Sequence, residues 1–354
     1  MKVLRYRLIP VTLLYSLCLF IWTAEYIHSF SLSRVEHIRN FDNGPGITSI
    51  IDLEDGTLIA GTKTGDVFQS RMDVDMRLIW SQMYGYESKL PVYSLAAERG
   101  KRVFCGGGDR CIAVWDEEEE SFNQRLGPHT GWVKALTYLE SKRILFSIGC
   151  NCIEAWNCTD SEISHIGKRT IENSVDASTL SSDLLDLCLV DDDLLVSSGV
   201  DGRVHLWTTD PKERDPLSCT NLHEGRITCL RHYQAKNTLF SIGNDGRICA
   251  SEVSSAGINL KAEVKISNCP RLTTCLIINN DSNDRSNCSL ALGTTEGQVV
   301  LVSVTFQEEE DISLVEKEKF DLSQGASVVY AMCSLRKSQL LVGHSKGMEC
   351  IKLI

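Results

Sequence analysis

Apolar and polar residues alternate with a period of two along most of the chain, in short runs separated by turn residues. The segment GVDGRVHLW, from Gly199 to Trp207, is typical, because an Asp-Gly turn joins two such runs and predicts a β-hairpin. The same arrangement returns as GTKTGDVFQS, GGDRCIAVW, GCNCIEAW, GNDGRICAS, GTTEGQVVLV and GHSKGMECIKL. Aligned on the second turn residue, the copies lie at Gly65, Arg110, Asn151, Gly202, Gly246, Gly297 and Gly347, which are 41 to 51 residues apart. Repeats of this size, each with room for four strands, predict an all-β propeller of seven blades.

The two ends of the repeat region are predicted to share one blade. The last copy has three strand-like runs, VVYAMCSL, QLLVGH and MECIKLI, and lacks a fourth. The segment SRVEHIRNF, residues 33–41, can supply that strand by pairing with MECIKLI, which would close the ring and remove an open sheet edge. We therefore expect a hydrophobic leader at residues 1–32 and a closed propeller at residues 33–354.

Tryptophan marks three of the copies. Trp115, Trp156 and Trp207 stand five positions after the aligned turn residue, and Trp115 is followed by Asp116 in VWDEE. With these motifs and the hairpin pattern, the chain from about residue 34 to residue 354 resembles the WD40 repeat family. In that family a His before the first strand, a strand Ser or Thr, the turn Asp and the Trp form a buried hydrogen-bonded set.

The resemblance implies three partial sets of this kind, each lacking a different member. They are His223, Ser241 and Asp245 without a Trp; His129, Ser147 and Trp156 without an Asp, whose place Cys150 takes; and Ser197, Asp201 and Trp207 without a His. We expect these nine residues to be structural, while the first, sixth and seventh copies are degenerate.

An apolar segment, RYRLIPVTLLYSLCLFIW, precedes the repeats and follows basic residues. Its apolar core is shorter than the roughly 20 residues of a spanning helix. A basic start, an apolar core and small residues downstream are typical of a secretory signal. The alternatives are an uncleaved anchor through residues 5–24, an organellar presequence, and a helix packed on the ring. A closed propeller offers no groove for so apolar a helix, so we expect a targeting or anchoring leader.

The sequence gives two competing indications of the compartment in which the protein works. Lys2, Arg5 and Arg7 should stay cytosolic and send the propeller across a membrane, and NCT, NDS and NCS are glycosylation sequons. The chain has 15 cysteines without a paired framework, which favours a reducing compartment. We expect a membrane-associated or secretory-pathway protein. The alternative is the interior of a plastid or other organelle, because SFSLSRVEHIR resembles the start of a transit peptide.

The chain shows no motif for catalysis, a metal or a cofactor. It lacks G-x-S-x-G, H-E-x-x-H and a P-loop, and its GGGDR lies between two strands instead of opening a helix. Cys150 and Cys152 have no second Cys/His pair at metal-ligand spacing. The net charge of −11 makes direct nucleic-acid binding an unexpected function. We expect a non-catalytic protein without cofactors.

The turns divide by charge between two faces of the expected ring. One face carries the acidic runs DEEEE, EEED and DDD, which we interpret as solvated surface. The other carries basic turn residues and aromatic residues, of the types that dominate interface energies. The candidate partner-binding residues are Arg110, Trp132, Arg203, Arg226 and Arg247.

We expect a scaffold that recruits protein partners or peptides through its loop faces, as a monomeric propeller inside a larger complex. Two alternatives stay open. One is a propeller enzyme or small-ligand binder at the central channel, and the other is a membrane-tethered assembly subunit.

Overall fold

The chain folds into seven antiparallel four-stranded sheets, numbered here as blades 1 to 7. The computed structural model describes residues 32–37, 45–53, 55–72, 78–85, 89–171, 183–268, 271–279, 287–307, 311–322, 326–335 and 339–353. Blades 1 to 6 take their strands in chain order, as the hairpin pattern predicts, and blade 7 takes its fourth strand from the N-terminal end of the repeat region. The prediction of an all-β, seven-bladed propeller is therefore confirmed.

Blade 1 consists of β2 (Ile47–Asp52), β3 (Leu58–Thr62), β4 (Asp66–Met72) and β5 (Leu78–Gly85). Blade 2 consists of β6 (Val92–Glu98), β7 (Arg102–Gly107), β8 (Ile112–Asp116) and β9 (Ser121–Leu126). Blade 3 consists of β10 (Val133–Leu139), β11 (Ile144–Gly149), β12 (Cys152–Asn157) and β13 (Ser164–Thr170). Blade 4 consists of β14 (Leu184–Leu189), β15 (Leu194–Gly199), β16 (Arg203–Thr208) and β17 (Ser218–Asn221).

Blade 5 consists of β18 (Ile227–Tyr233), β19 (Thr238–Gly243), β20 (Arg247–Ser254) and β21 (Gly257–Lys265). Blade 6 consists of β22 (Leu272–Asn279), β23 (Asn287–Thr294), β24 (Gln298–Phe306) and β25 (Ile312–Asp321). Blade 7 consists of β26 (Val329–Ser334), β27 (Gln339–His344), β28 (Gly347–Leu353) and β1 (Leu32–His37). Within these described residues the helical structure is one 3₁₀ turn, Gln234–Lys236, and no helix there has the length and apolarity to cross a membrane.

The N-terminal strand completes the last blade. β1 runs antiparallel to β28, with Leu32 opposite Leu353 and Glu36 opposite Cys350. The predicted ring closure is confirmed, although the strand begins at Leu32 and not at Ser33. Residues 38–41 of the predicted strand and residues 1–31 of the leader lie outside the described residues, so the division into residues 1–32 and 33–354 stays a prediction.

Apolar side chains are buried between blades, and each of the seven interfaces between neighbours has its own core. The core that joins blade 7 to blade 1 includes Leu341 and Ile47, so the ring closes in its interior as well as at its rim. Gly343 permits this contact, because a Cβ there would lie 2.8 Å from Cγ2 of Ile47. The innermost strands contact one another around the whole ring, from β2 with β6 to β26 with β2.

The ring has two faces of different construction. The upper face carries the turns between the second and third strands of each blade, together with the residue that precedes each first strand. In six blades a turn N–H donates to the carbonyl of that residue, as Asn244 does to Arg226 at 2.9 Å. The lower face carries the turns between first and second strands, such as Asp191–Asp193, and between third and fourth strands.

Candidate functional site

Blade 3 contains a buried hydrogen-bonded set around Ser147. The Oγ of Ser147 lies 2.8 Å from Nε2 of His129 and accepts a bond of 2.9 Å from Nε1 of Trp156. Nδ1 of His129 lies 3.3 Å from the Arg110 carbonyl, so the set also ties blade 3 to the turn of blade 2. Burial lowers the pKa of His129, against an opposing effect from Glu154. A neutral imidazole in this place braces the blade.

Blade 5 holds His223, Ser241 and Asp245 in the order of a Ser-His-Asp triad. Nδ1 of His223 lies 3.0 Å from Asp245 Oδ1, and its Nε2 lies 2.9 Å from Ser241 Oγ. Ser241 is fully buried, so no substrate can reach its hydroxyl. Burial raises the pKa of Asp245, but the bond from His223 and two backbone N–H bonds outweigh it and lower the pKa overall. The arrangement braces the turn and has no route to a nucleophilic attack.

Blade 4 keeps the Ser–Trp part of the set. Nε1 of Trp207 donates to Ser197 Oγ at 2.9 Å, and Asp201 accepts the backbone N–H of Arg203 at 3.1 Å. The Asp201 carboxylate therefore supports the turn, while Ser197 and Trp207 are joined inside the blade.

Blades 1, 6 and 7 brace the same turn with a residue that the motif comparison missed. Thr62 Oγ1 accepts the N–H of Asp66 at 2.9 Å, Thr294 Oγ1 accepts that of Gln298 at 3.1 Å, and His344 Nδ1 accepts that of Lys346 at 3.3 Å. Each of the three is the last residue of its second strand, one position before the turn. Their common position, not their residue type, is the signal that could have revealed them.

The turn of blade 3 is one residue shorter than the turns of blades 4 and 5. Ser147 lies opposite Glu154, seven positions on, whereas Ser197 lies opposite His205, eight positions on. The positive φ that the alignment places at Asn151 occurs at Cys150, with φ 56°. Cys150 therefore takes the left-handed position of a shorter turn, rather than the place of a missing Asp.

The five candidate partner-binding residues lie on the upper face, but their surroundings differ. Arg247 makes ion pairs with Glu224 at 2.9 Å and with Glu263 at 3.6 Å, so its charge is already matched. Arg203 has a weaker contact with Asp201 at 3.9 Å. Arg110 and Arg226 are exposed, and neither side chain makes an ion pair with another described residue.

Trp132 forms the centre of an apolar patch at the upper mouth of the channel. Its side chain is 52 % exposed and stacks on Tyr93 of blade 2, with ring centroids 5.6 Å apart and an interplanar angle of 25°. Leu90, which is 42 % exposed, belongs to the same part of blade 2. The chain just before Trp132 runs close to blade 3, since a Cβ on Gly131 would lie 2.1 Å from Sγ of Cys150. The patch presents a supported aromatic ring to solvent.

The lower face carries carboxylates at the ends of the same strands. Asp191, Asp192 and Asp193 are all exposed, and each has a partner. Asp191 accepts the N–H groups of Asp193 and Leu194 at 2.8 Å, Ser141 donates to Asp192 at 2.7 Å, and Lys142 pairs with Asp193 at 2.9 Å. Asp116 belongs to the same face and accepts two backbone N–H bonds from its own turn. Residues 308–310 of the second acidic run lie outside the described residues.

Within the described part of the chain, no group of three or more His, Cys, Asp or Glu residues could hold a metal ion. All thirteen described cysteines are free thiols. Burial raises the pKa of Cys158 and of Cys229 to about 11, which keeps them protonated and unreactive. Buried cysteines here fill space in the interfaces between blades.

Comparison with known proteins bears on the fold. No protein-family model and no curated protein matches the chain. Among solved structures the chain is similar to the WD40 β-propeller domain of Doa1, with a TM-score of 0.69 and 14 % sequence identity over 92 % of this chain and 97 % of that domain. At this identity the likeness establishes the fold, a WD40 propeller. Proteins of this fold commonly act as interaction scaffolds and are generally non-catalytic.

Proposed function

We propose that this propeller is a non-catalytic scaffold that binds partner proteins through its upper face. The observation that carries the proposal is Trp132, half exposed and stacked on Tyr93 at the mouth of the channel. Water-exposed indole rings held in one orientation are the side chains that most often dominate binding energy at protein interfaces. Arg110 and Arg226 add cations on the same face.

A channel enzyme or small-ligand binder is the second candidate, and two observations weigh against it. The one Ser-His-Asp constellation is enclosed in blade 5, with Ser241 fully buried. The charged pair on the inner strands, Arg231 and Asp186, lies 3.5 Å apart, and Asp186 also accepts the N–H of Leu230 at 2.8 Å. These groups are committed to bonds between blades.

The proposal is tested by proximity labelling in native cells with wild-type protein, Trp132→Ala and Leu217→Ala. Leu217 is 46 % exposed but lies at the lower face, so its variant controls for loss of exposed apolar surface. We expect a set of partners whose labelling is lost in W132A and kept in L217A. Direct binding of a purified member should weaken at least about tenfold in W132A. Equal labelling by all three proteins would show that the upper mouth is not the binding site.

For the leader, we propose a membrane address or anchor, and the support comes from its basic start and apolar core. Leu32 pairs with Leu353 at the lower end of blade 7, so the leader joins the propeller on the face opposite Trp132. A retained leader would hold the lower face toward the membrane and leave the upper mouth open to partners. The intact mass of the mature N-terminus from native material separates a cleaved leader from a retained one.

A further inference from the structure

The upper mouth of the channel consists of two unlike halves. In every blade the first strand begins at the same ladder position and carries a bulge at its second residue. The residue before each first strand and the bulge residue therefore form two rings around the mouth. The apolar half, on blades 7, 1, 2 and 3, contains Val328, Tyr330, Pro91, Tyr93 and Trp132, with Gly46 and Thr48 of blade 1 between them. The polar half, on blades 3 to 6, contains Lys134, Asp183, Arg226, Thr228, Arg271 and Thr273, together with the apolar bulge residue Leu185.

The apolar half is a platform of aromatic rings. Trp132 and Tyr93 stack across the interface between blades 2 and 3. Burial raises the pKa of Tyr93, and the charge of Tyr330 on blade 7 raises it further. A partner side chain that packs on Trp132 would displace water from its own surface and from the exposed face of the indole ring. Trp132 is therefore the expected anchor of the interface.

The polar half carries a surplus of positive charge. Lys134, Arg226 and Arg271 face one carboxylate, Asp183, in these two rings. Neither Lys134 nor Arg226 makes an ion pair with another described residue, in contrast to Arg247. The chain as a whole has a net charge of −11, and its lower face is lined with carboxylates such as Asp191. The two inner rings thus carry a net positive charge on an acidic molecule.

The bulge threonines keep the polar half rigid. Thr228 Oγ1 donates to the carbonyl of Leu272 at 2.9 Å, and Thr273 Oγ1 donates to that of Val329 at 2.5 Å, each in the next blade. Because these hydroxyls already donate to bonds between blades, Lys134 and Arg226 are the groups of this half that we expect to bind a partner. Exposed ion pairs contribute little energy each, so they should select the partner while the aromatic half supplies affinity.

We propose that the upper mouth binds an acidic peptide segment in which one apolar side chain packs on Trp132 and the carboxylates lie toward Lys134 and Arg226. This inference rests on the proposed function and specifies its partner class. Carboxylates of the lower face such as Asp191 disfavour such a segment there, while Lys134 and Arg226 favour it at the upper mouth.

The probe is a phage-displayed library of short random peptides, selected on purified full-length protein. Enriched peptides should contain more Asp and Glu than Lys and Arg, together with an aromatic or aliphatic residue. Affinity for one such peptide should fall at least about tenfold in Trp132→Ala and about threefold in Arg226→Glu, with a clear weakening at high salt. Leu217→Ala and Arg214→Glu, both exposed on the lower face, are the matched controls and should bind as wild type.

The outcomes separate the two proposals. Peptides that require Trp132 but carry no acidic bias, or that bind R226E as tightly as wild type, contradict the acidic-partner inference and leave the docking site standing. Peptides that bind W132A as tightly as wild type contradict both, and so does a selection that yields no peptide dependent on Trp132. The melting temperature of each variant shows that the loss of binding is not a loss of fold.

Discussion

At the scale of single residues, the stability of this propeller depends on buried polar groups that find partners inside one blade. Ser147 is bonded by both His129 and Trp156, and Ser197 by Trp207. The motif spacing predicts these contacts, because the residues recur at fixed distances in neighbouring repeats. Glu154 is buried 3.4 Å from Lys168 and 3.5 Å from His165. No repeat pattern predicts that cluster, since its members are particular to blade 3.

Ser147→Ala should destabilise the protein by roughly 2 kcal/mol or more, because the buried Nε1–H of Trp156 loses its acceptor. Ser198→Ala is the matched control in the next blade. Ser198 is also fully buried in a second strand, but its hydroxyl has no hydrogen-bond partner. Urea denaturation should show the control at wild-type stability or above. Equal losses in the two variants would show that burial of a serine, not its bonding, sets the cost.

His205→Leu should weaken the acid sensitivity of the fold. Burial lowers the pKa of His205, so the folded state favours the neutral ring, while the unfolded chain takes up a proton below about pH 6.5. Stability is therefore complete above that pH and falls as the pH drops toward the folded-state pKa. The variant lacks this proton, and Nδ1 of His205 has no partner to lose.

Melting temperatures at about pH 7.5 and about pH 5.5 check the expectation. The two proteins should be similar at the higher pH, and the variant should lose less stability on acidification. Burial also lowers the pKa of His129 and His232, so part of the acid sensitivity should remain. If the melting temperature of the variant fell on acidification by as much as that of the wild type, a contribution from His205 would be contradicted.

At the scale of elements, all seven repeats form a hairpin with a residue of positive φ in its turn, but with different residues there. The left-handed turn position holds glycine in five of them and Arg110 or Cys150 in the others. The spacing of the hairpins made the strands and blades predictable, because the period-two alternation and the turn residues mark the same strand boundaries. The shorter turn of blade 3 was not predictable, since removing one residue leaves GCNC looking like an ordinary variant of the motif.

Gly202→Ala and Arg110→Gly test the turn in opposite directions. Gly202 has φ +79°, and a Cβ there would lie 2.1 Å from the His223 carbonyl oxygen, so alanine should cost roughly 2 kcal/mol or more. Arg110 holds φ 67° with a side chain present, so glycine should leave stability within about 1 kcal/mol of wild type or raise it. Urea denaturation of both variants gives the comparison. A tolerated alanine at Gly202 would mean that the turn relaxes away from His223.

At the scale of the whole molecule, no single centre holds the fold together. The cores lie between blades, so each blade depends on two neighbours, and blade 7 depends on both ends of the repeat region. The count of repeats and the missing fourth strand made this closure predictable from sequence. The candidate site was predictable only as a set of residue types. The stacking of Trp132 on Tyr93 and the neutralisation of Arg247 depend on how blades meet, which no single repeat encodes.

Two truncations test the closure. Removal of residues 1–31 should leave a folded propeller, because the described closing strand begins at Leu32. Removal of residues 1–37 deletes β1 and exposes the edge of β28, so we expect a lower melting temperature and aggregation. Scanning calorimetry and size-exclusion chromatography distinguish the two products. Equal melting temperatures would show that β1 adds nothing to the ring.

The pairing of β1 with β28 also sets an order of events during translation. Every other strand pairing joins neighbours along the chain, whereas this one joins Leu32 to Leu353. Blades 1 to 6 can form one after another as the chain leaves the ribosome, but blade 7 must wait for its final strand. A chain that stops before β28 leaves β1 without a partner and the outer edge of β27 unpaired. Chaperones that bind exposed strands could therefore distinguish an incomplete chain from a finished one.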